Sequence, residues 1–399
     1  WSNVAINLAI LGLFKYYDFF AQSFADLFMG GASEGLLLHL ILPVGISFYT
    51  FQALGYSIDV YRHKITECRD VLAFAAYISF FPQLVAGPIE RATSLLPQFQ
   101  QPRHFQYAQG VDGLRQMLWG FFKKMVVADG CALYVDKVFA NPGMYGGSTL
   151  LLAAVLFTIR IYGDFSGYSD IAVGCAKLFG IQLRSNFKTP YFSRNMGEFW
   201  RRWHISLTTW FRDYIYIPLG GSRTTKWRVV RNTFIIFLVS GLWHGANWTF
   251  VTWGLYHALL FLPLILMGRN RKHTDVVASS RAIPSLCELG QMTLTFLLAT
   301  LGWILFRADS LAVAATYFRH LFSGTLFSVP YIISATEAWS VALSGVAMAV
   351  VEWLNRDQPH EFCRLPKKRL LRWTVYLMVA CAIGGFCVTN EMPFIYFQF

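Results

Sequence analysis

Between Thr233 and Gly268 the chain carries no Asp, Glu, Lys or Arg. One helical crossing of a bilayer takes about 20 apolar residues, so this stretch is long enough for nearly two. In hydrocarbon every backbone N–H and C=O must be satisfied within the fold, which leaves helices or closed barrels as the only spanning structures. Leu36 to Ile58 is also free of formal charge. Composition agrees: 55% of the residues are hydrophobic and 14% charged, whereas soluble domains carry roughly 25% charge. These features predict an all-α, multi-span integral membrane protein with about eight to ten crossings.

The pattern places a first span from Asn3 to Phe19, a loop at Phe20–Glu34 and a second span from Leu36 to Ile58, kinked at Pro43 and Gly45. Val71 to Ala86 is apolar but short, and reads either as a re-entrant or broken helix or as a full crossing. Ile89 to Gln109 reads as an interfacial loop. Val111 to Tyr134 is helical, with Lys123 and Lys124 snorkelling or facing a polar interior. Leu150 to Phe179 is a long helix interrupted by Arg160, Asp164 and Asp170. Gly180 to Arg231 mixes arginines, aromatics and short apolar pieces, as shallow amphipathic helices do. Later spans fall at Thr233–Trp248, Val251–Met267, Met292–Phe306, Ala338–Val351 and Trp373–Val388. No second soluble domain is visible, so residues 1–399 are taken as one membrane-embedded domain. The opening residues already read as the inside of a span, and further N-terminal spans are expected before Trp1.

The net charge is +12. It falls mainly in short connections, which marks it as topological and not as a nucleic-acid surface; an anionic ligand is compatible with the same charge. Arg269–Gln291 holds four basic residues against two acids, and Asn355–Arg372 six against two. Two spans separate them, so both belong on one side, with the Arg223–Arg231 cluster. That side is predicted to be cytoplasmic, with Phe399 external. The seven cysteines are odd in number and sparse, which indicates neither a disulfide framework nor a zinc site. No HExxH, Walker, GxGxxG or GxSxG pattern occurs. No metal ligand set is evident.

His244, in Ser240-Gly-Leu-Trp-His-Gly-Ala-Asn-Trp248, has no formal charge within twelve positions. An imidazole there must face protein or a water-filled cavity. It reads as a packed bridge between helices or as a general base. Gly241, Gly245 and Ala246 leave room beside it, and Trp243 and Trp248 wall the space. His204, in Glu198-Phe-Trp-Arg-Arg-Trp-His-Ile-Ser206, shares a helix face with Arg201 if the piece is helical. It reads as part of an interfacial girdle or as an orienting group beside an anionic donor. The Gly220-Gly221-Ser222-Arg223 turn could meet phosphate. His257 reads as structural. Asp164, Ser166, Tyr168 and Asp170 either line an acceptor path or lock a helix bundle.

Several of these phrases, with Leu42-Pro-Val-Gly-Ile-Ser-Phe-Tyr-Thr50, Pro82-Gln-Leu-Val-Ala-Gly-Pro-Ile89, Tyr162-Gly-Asp-Phe-Ser-Gly-Tyr-Ser-Asp170 and the closing Phe394–Phe399, resemble the membrane-bound O-acyltransferases. Within that family they resemble the bacterial branch that O-acetylates exported polysaccharides such as alginate. The resemblance implies a helical core with re-entrant and interfacial helices around a funnel. It assigns the intramembrane catalytic histidine to His244 and the second functional histidine to His204, and it implies acyl transfer from a thioester to a hydroxyl. It implies external, periplasmic acetyltransferases as partners and an inner-membrane location. The expected donor is acetyl-CoA, whose anionic part would meet Arg201, Arg202 and Arg223; Trp243 and Asn247 would line the donor or funnel region. Peptidoglycan acylation or D-alanylation within the same family is the near alternative. A polar-pore transporter or scaffold is the distant one.

Overall fold

The computed structural model describes residues 2–31, 33, 35–332, 334–387 and 394–395. Every regular element among them is helical, as a chain that must satisfy its own backbone in lipid requires. The longer helices are α1 (Ser2–Phe28), α2 (Ile46–Tyr61), α3 (Val71–Ser79), α4 (Phe81–Leu84), α5 (Ala92–Gln100), α6 (Tyr107–Phe121), α7 (Asp129–Ala140) and α8 (Gly147–Leu178). They continue with α9 (Met196–Arg202), α10 (Ile205–Phe211), α11 (Lys226–His244), α12 (Trp248–Leu266), α13 (Leu286–Arg307), α14 (Leu311–Leu321), α15 (Ala335–Leu354) and α16 (Arg369–Phe386). Three π-helical stretches, Gly12–Tyr16 within α1, Phe122–Ala128 between α6 and α7, and Arg212–Tyr216 after α10, widen the helical path. Five described helices, α1, α8, α12, α13 and α16, are long and apolar enough to cross a membrane. The remaining apolar sequence is folded into shorter or charged helices.

Several boundaries differ from the sequence reading, each for a visible reason. The first helix runs on to Phe28, where a loop is predicted, because Phe20, Phe24 and Leu27 are exposed apolar side chains suited to lipid. The second begins ten residues late. Residues 36–45 are not helical, and Gly45 takes a left-handed φ of 77° before Ile46. A Cβ on Gly45 would lie 2.7 Å from the Leu84 carbonyl oxygen, so the site needs glycine for both backbone and space. The short apolar segment is a broken helix, split at Phe80 between α3 and α4. The connection between the spans predicted at Met292–Phe306 and Ala338–Val351 contains α14, whose buried Tyr317 donates its hydroxyl to the Leu150 carbonyl at 2.6 Å. Phe399, expected to be external, lies outside the described residues.

The long helix α8 is not interrupted by its charges. Arg160, Asp164 and Asp170 point into the protein and are paired with Asp136 at 2.6 Å, Lys124 at 2.6 Å and Lys123 at 2.5 Å. Lys123 and Lys124 therefore face a polar interior, and Asp164 and Asp170 form a lock between helices. The seam between α6 and α8 is close because glycines meet there: a Cβ on Gly120 would sit 2.6 Å from the Gly167 oxygen, and one on Gly174 2.5 Å from the Gly113 oxygen. The middle of the segment expected to lie shallow in the membrane is packed inside the fold, while Ile217, Arg223 and Trp227 near its end are exposed. Phe199, Trp203 and Phe211 of the α9–α10 region are buried.

The basic segments share one end of the molecule. Arg356 donates to the carbonyls of Ala278 and Arg281, each at 2.7 Å, which joins the two most basic connections. Arg201 donates to the carbonyls of Asn270 and His273, each at 2.6 Å. At the same end, a hydrogen bond from the Arg194 guanidinium holds the Asp275 carboxyl below the usual carboxylate range.

Candidate active site

His244 is the last residue of α11, and α12 starts four residues later at Trp248. The turn between them is tight because small residues allow it. A Cβ on Gly245 would come within 2.2 Å of the Phe250 ring, and one on Gly241 within 2.2 Å of the Phe250 oxygen. Gly241 and Gly245 thus serve the close packing of the α11–α12 hairpin, and do not open space around His244. Lys15, displaced inward at the π-helical turn of α1, donates to the Trp243 carbonyl at 2.6 Å and the His244 carbonyl at 3.4 Å. A cation at the carbonyl end of a helix is favourable, so Lys15 pins the segment that carries His244.

His204 is not on the same helix as Arg201. The helix ends at Arg202, and His204 adopts a left-handed φ of 43° before α10. That conformation costs a non-glycine residue on the order of 1–3 kcal/mol. It turns the imidazole into the core, where its centroid lies 4.7 Å from Phe165 and 5.9 Å from Trp243. The Trp243 ring contacts both histidines, meeting His244 at 5.0 Å. His244 in turn meets Trp253 edge-on at 5.2 Å, and Trp253 meets His257 at 4.9 Å. Trp200 closes the file against His257 at 5.0 Å.

This file is buried, yet its polar atoms are poorly matched. Among the described residues, both ring nitrogens of His204 and of His257, and the indole nitrogens of Trp200, Trp243 and Trp253, have no hydrogen-bond partner. Orphaned buried donors and acceptors cost about 1–3 kcal/mol each, and native folds keep few of them. In native folds such groups are met by protein, ordered water or a ligand.

One cleft opens at the Trp200 end of the file and another beside His244, part-way along it. At the basic end, a cleft of about 590 Å³ is lined by Arg201, Arg212, Arg271, Thr208 and Thr209, with Trp200 and Phe237 at its apolar wall. At the opposite end of the hairpin, a cleft of about 470 Å³ is lined by Gly245, Asn247, Phe306, Arg307 and Asp309. Phe306 is 5.2 Å from His244. His244 therefore sits one ring from the second cleft and two rings, Trp253 and Trp200, from the first.

The other residues singled out in the sequence fall in varied places. Arg202 is turned inward, bonded to Glu198 at 2.8 Å and the Asp275 carbonyl at 3.0 Å. Arg223 is exposed next to Ser222, which lines the basic cleft. Asn247 caps α12 by accepting from the Thr249 N–H at 3.0 Å and donates to the Asp309 carbonyl at 3.0 Å, so its amide is committed to the turn. Trp248 faces α1 and donates to Ser23 at 3.2 Å. Sequence reasoning missed Lys15, Arg271 and the place of His257 in the file. A lone lysine inside an apolar span was the available signal for the first. Asp112, His360 and Cys363, not named in the sequence as metal ligands, hold ligand atoms within 4.8 Å of one another. Asp112 is already paired with His360 at 2.9 Å and Lys177 at 2.6 Å, and the adjacent ammonium opposes a divalent ion there.

The profile of the MBOAT, membrane-bound O-acyltransferase family, matches residues 66–297, which include His204, His244 and most of both clefts. The chain belongs to the membrane-bound O-acyltransferase family. It is 39% identical over 322 residues to a probable alginate O-acetylase of Pseudomonas aeruginosa, covering 80% of this chain and 59% of that protein. A probable alginate O-acetylase of Pseudomonas putida is 40% identical, with 100% of this chain and 83% of that protein covered. The peptidoglycan O-acetyltransferase of Helicobacter pylori is 35% identical over 77% of this chain and 61% of its own length. Against most of these relatives the chain spans about six tenths of their length. As a member of the family it is a multi-pass, all-α membrane protein.

Proposed function

We propose that this chain is an O-acetyltransferase of a bacterial cytoplasmic membrane, drawing acetyl groups from acetyl-CoA for the O-acetylation of an exported polysaccharide of the alginate kind. The observation that carries the reading is the buried His–Trp file connecting a cleft with three arginines to a second cleft at the other end of the hairpin. The arginines suit the anionic part of the donor. Their end of the molecule carries the basic connections and is the cytoplasmic one by the positive-inside rule. The higher identity to the alginate-type relatives than to the peptidoglycan-type one favours a polysaccharide acceptor.

In this reaction the acceptor oxygen forms a bond to the thioester carbonyl carbon and the carbon–sulfur bond breaks. His244 removes the hydroxyl proton as the oxygen attacks and returns it to the departing thiolate. Negative charge grows on the carbonyl oxygen in between. The indole N–H groups of Trp200, Trp243 and Trp253 and the imidazoles of His204 and His257 are the donors available to meet it. The aromatic walls keep bulk water from the thioester, which limits hydrolysis.

Neutralising two cleft cations separates donor binding from chemistry. Arg201→Gln with Arg271→Gln is expected to raise the KM for acetyl-CoA by about tenfold or more, since charge-assisted bonds are each worth about 1.5–3 kcal/mol, with a smaller change in kcat. An unchanged KM would remove the donor from this cleft. The acceptor hydroxyl belongs to an external partner acetyltransferase or to the polymer itself, and the proposal favours a relay through the partner. The full chain in vesicles, with acetyl-CoA on the basic side and polymer on the other, tests this. Polymer acetylation only after the partner is added supports the relay; full-rate acetylation by the chain alone overturns it and leaves the acyltransferase reading standing.

A further inference from the structure

A third cleft lies away from the His–Trp file, between α6 and the start of α16, with a volume of about 670 Å³. Its polar wall is Arg115, Arg369 and Arg372, and no acidic residue lines it. Its other wall is apolar, formed by Leu114, Leu118 and Trp373. Arg115 donates from Nε to the Tyr376 hydroxyl at 2.7 Å, which fixes one guanidinium at the cleft wall. The nearest acid on α6, Asp112, is already held by Lys177 and His360.

The charge arrangement is unfavourable as it stands. Helix N-termini carry partial positive charge and normally attract acids. The first turn of α16 has no acid, and Arg369 and Arg372 add like charge to it. None of the α16 residues is buried, and Leu370, Leu371 and Trp373 expose apolar surface beside the arginines. The cleft therefore combines three cations, a helix N-terminus and an adjoining apolar wall at the end of the molecule where the basic connections gather. Water satisfies the first two features but not the third.

We propose that this cleft is a binding site for one anionic phospholipid, whose phosphate headgroup rests among Arg115, Arg369 and Arg372 and whose acyl chain follows Leu114, Leu118 and Trp373. The lipid adds a bridge between α6 and α16, a helix that packs on the core only through partly buried residues such as Val375 and Val379. Basic residues near a membrane surface contribute roughly fivefold each to anionic-lipid affinity.

The test uses the full chain in detergent, titrated with phosphatidylglycerol or with phosphatidylcholine of the same acyl composition, and read by native mass spectrometry of retained lipid. Phosphatidylglycerol should be retained at least tenfold better than phosphatidylcholine, and Arg115→Gln/Arg369→Gln/Arg372→Gln should remove that preference. Arg369→Gln alone, at an exposed position, should reduce it by about fivefold, and stands in if the triple variant does not accumulate. Equal retention of the two lipids, or a preference unchanged in these variants, would overturn the proposal. So would thermal stabilisation by glycerol phosphate, which has no acyl chain, equal to that given by phosphatidylglycerol.

Discussion

His244→Ala is expected to lower acetyl transfer by about 10²–10⁴-fold, the contribution of a general base, while the protein inserts and accumulates at its normal level. The loss should be this large because the ring is placed where no other titratable side chain of the described file can replace it. His204 packs against Trp243 and His257 against Trp253, whereas His244 is the histidine that meets Phe306 at the second cleft. Accumulation should be spared because the hairpin is held by contacts that the substitution leaves in place: Gly241 and Gly245 against Phe250, and Lys15 on the backbone carbonyls of Trp243 and His244. His244→Gln, which keeps hydrogen bonding but not basicity, should be as inactive as the alanine variant. Labelled acetyl transfer in isolated membranes, normalised to protein amount, measures both. Near-normal product from either variant would end the assignment of His244 as base.

The second large effect is on stability. Lys123→Ala should destabilise the protein by about 3–5 kcal/mol, the usual penalty for removing one partner of a buried ion pair. Lys123 is fully enclosed, with Asp170 at 2.5 Å and Glu361 at 3.9 Å. The neighbouring Tyr162 hydroxyl is spent on Glu352 at 2.8 Å and cannot turn to help. Removing the ammonium leaves carboxylates from α8, α15 and the connection before α16 facing one another without a cation. Thermal unfolding in detergent should show the loss, and Lys123→Arg should recover part of it because the charge is kept. A melting temperature that Lys123→Ala leaves unchanged would show that the cluster carries no net stability.

The sequence made the helical class and the position of the later spans legible because lipid imposes long uncharged runs and polar connections, and both are visible in a single chain. For that reason α12 falls close to its predicted limits, whereas α11 begins at Lys226, ahead of the predicted Thr233, and ends at His244, before the predicted Trp248. The charged middle of the chain was less legible. Arg160, Asp164 and Asp170 look like interruptions when read along α8, because their partners Asp136, Lys124 and Lys123 lie on other elements and only the fold brings them together. The α9–α10 region misled in the same way: its arginines suggested a membrane surface, yet Arg202 is satisfied by Glu198 and backbone carbonyls inside the protein. Of the arginines expected to meet the donor, only Arg201 lines the basic cleft, and it is accompanied by Arg212 and Arg271. Arg271 comes from a connection far along the chain, and no local pattern reports such an approach.

The three π-helical stretches carry Lys15, the Lys123–Lys124 pair, and Arg212 with Asp213. A π turn closes its hydrogen bond one residue later than an α turn, so each stretch amounts to one extra residue accommodated inside a continuous helix. That surplus residue rotates everything after it by about 100° relative to an uninterrupted helix. Among homologous chains, a one-residue deletion at such a place would not loosen the helix but tighten it, while swinging the charged side chain away from the partner it now meets. Length variation at these positions is therefore a change of aim, and alignments that place a gap there should be read as a different set of buried charge partners.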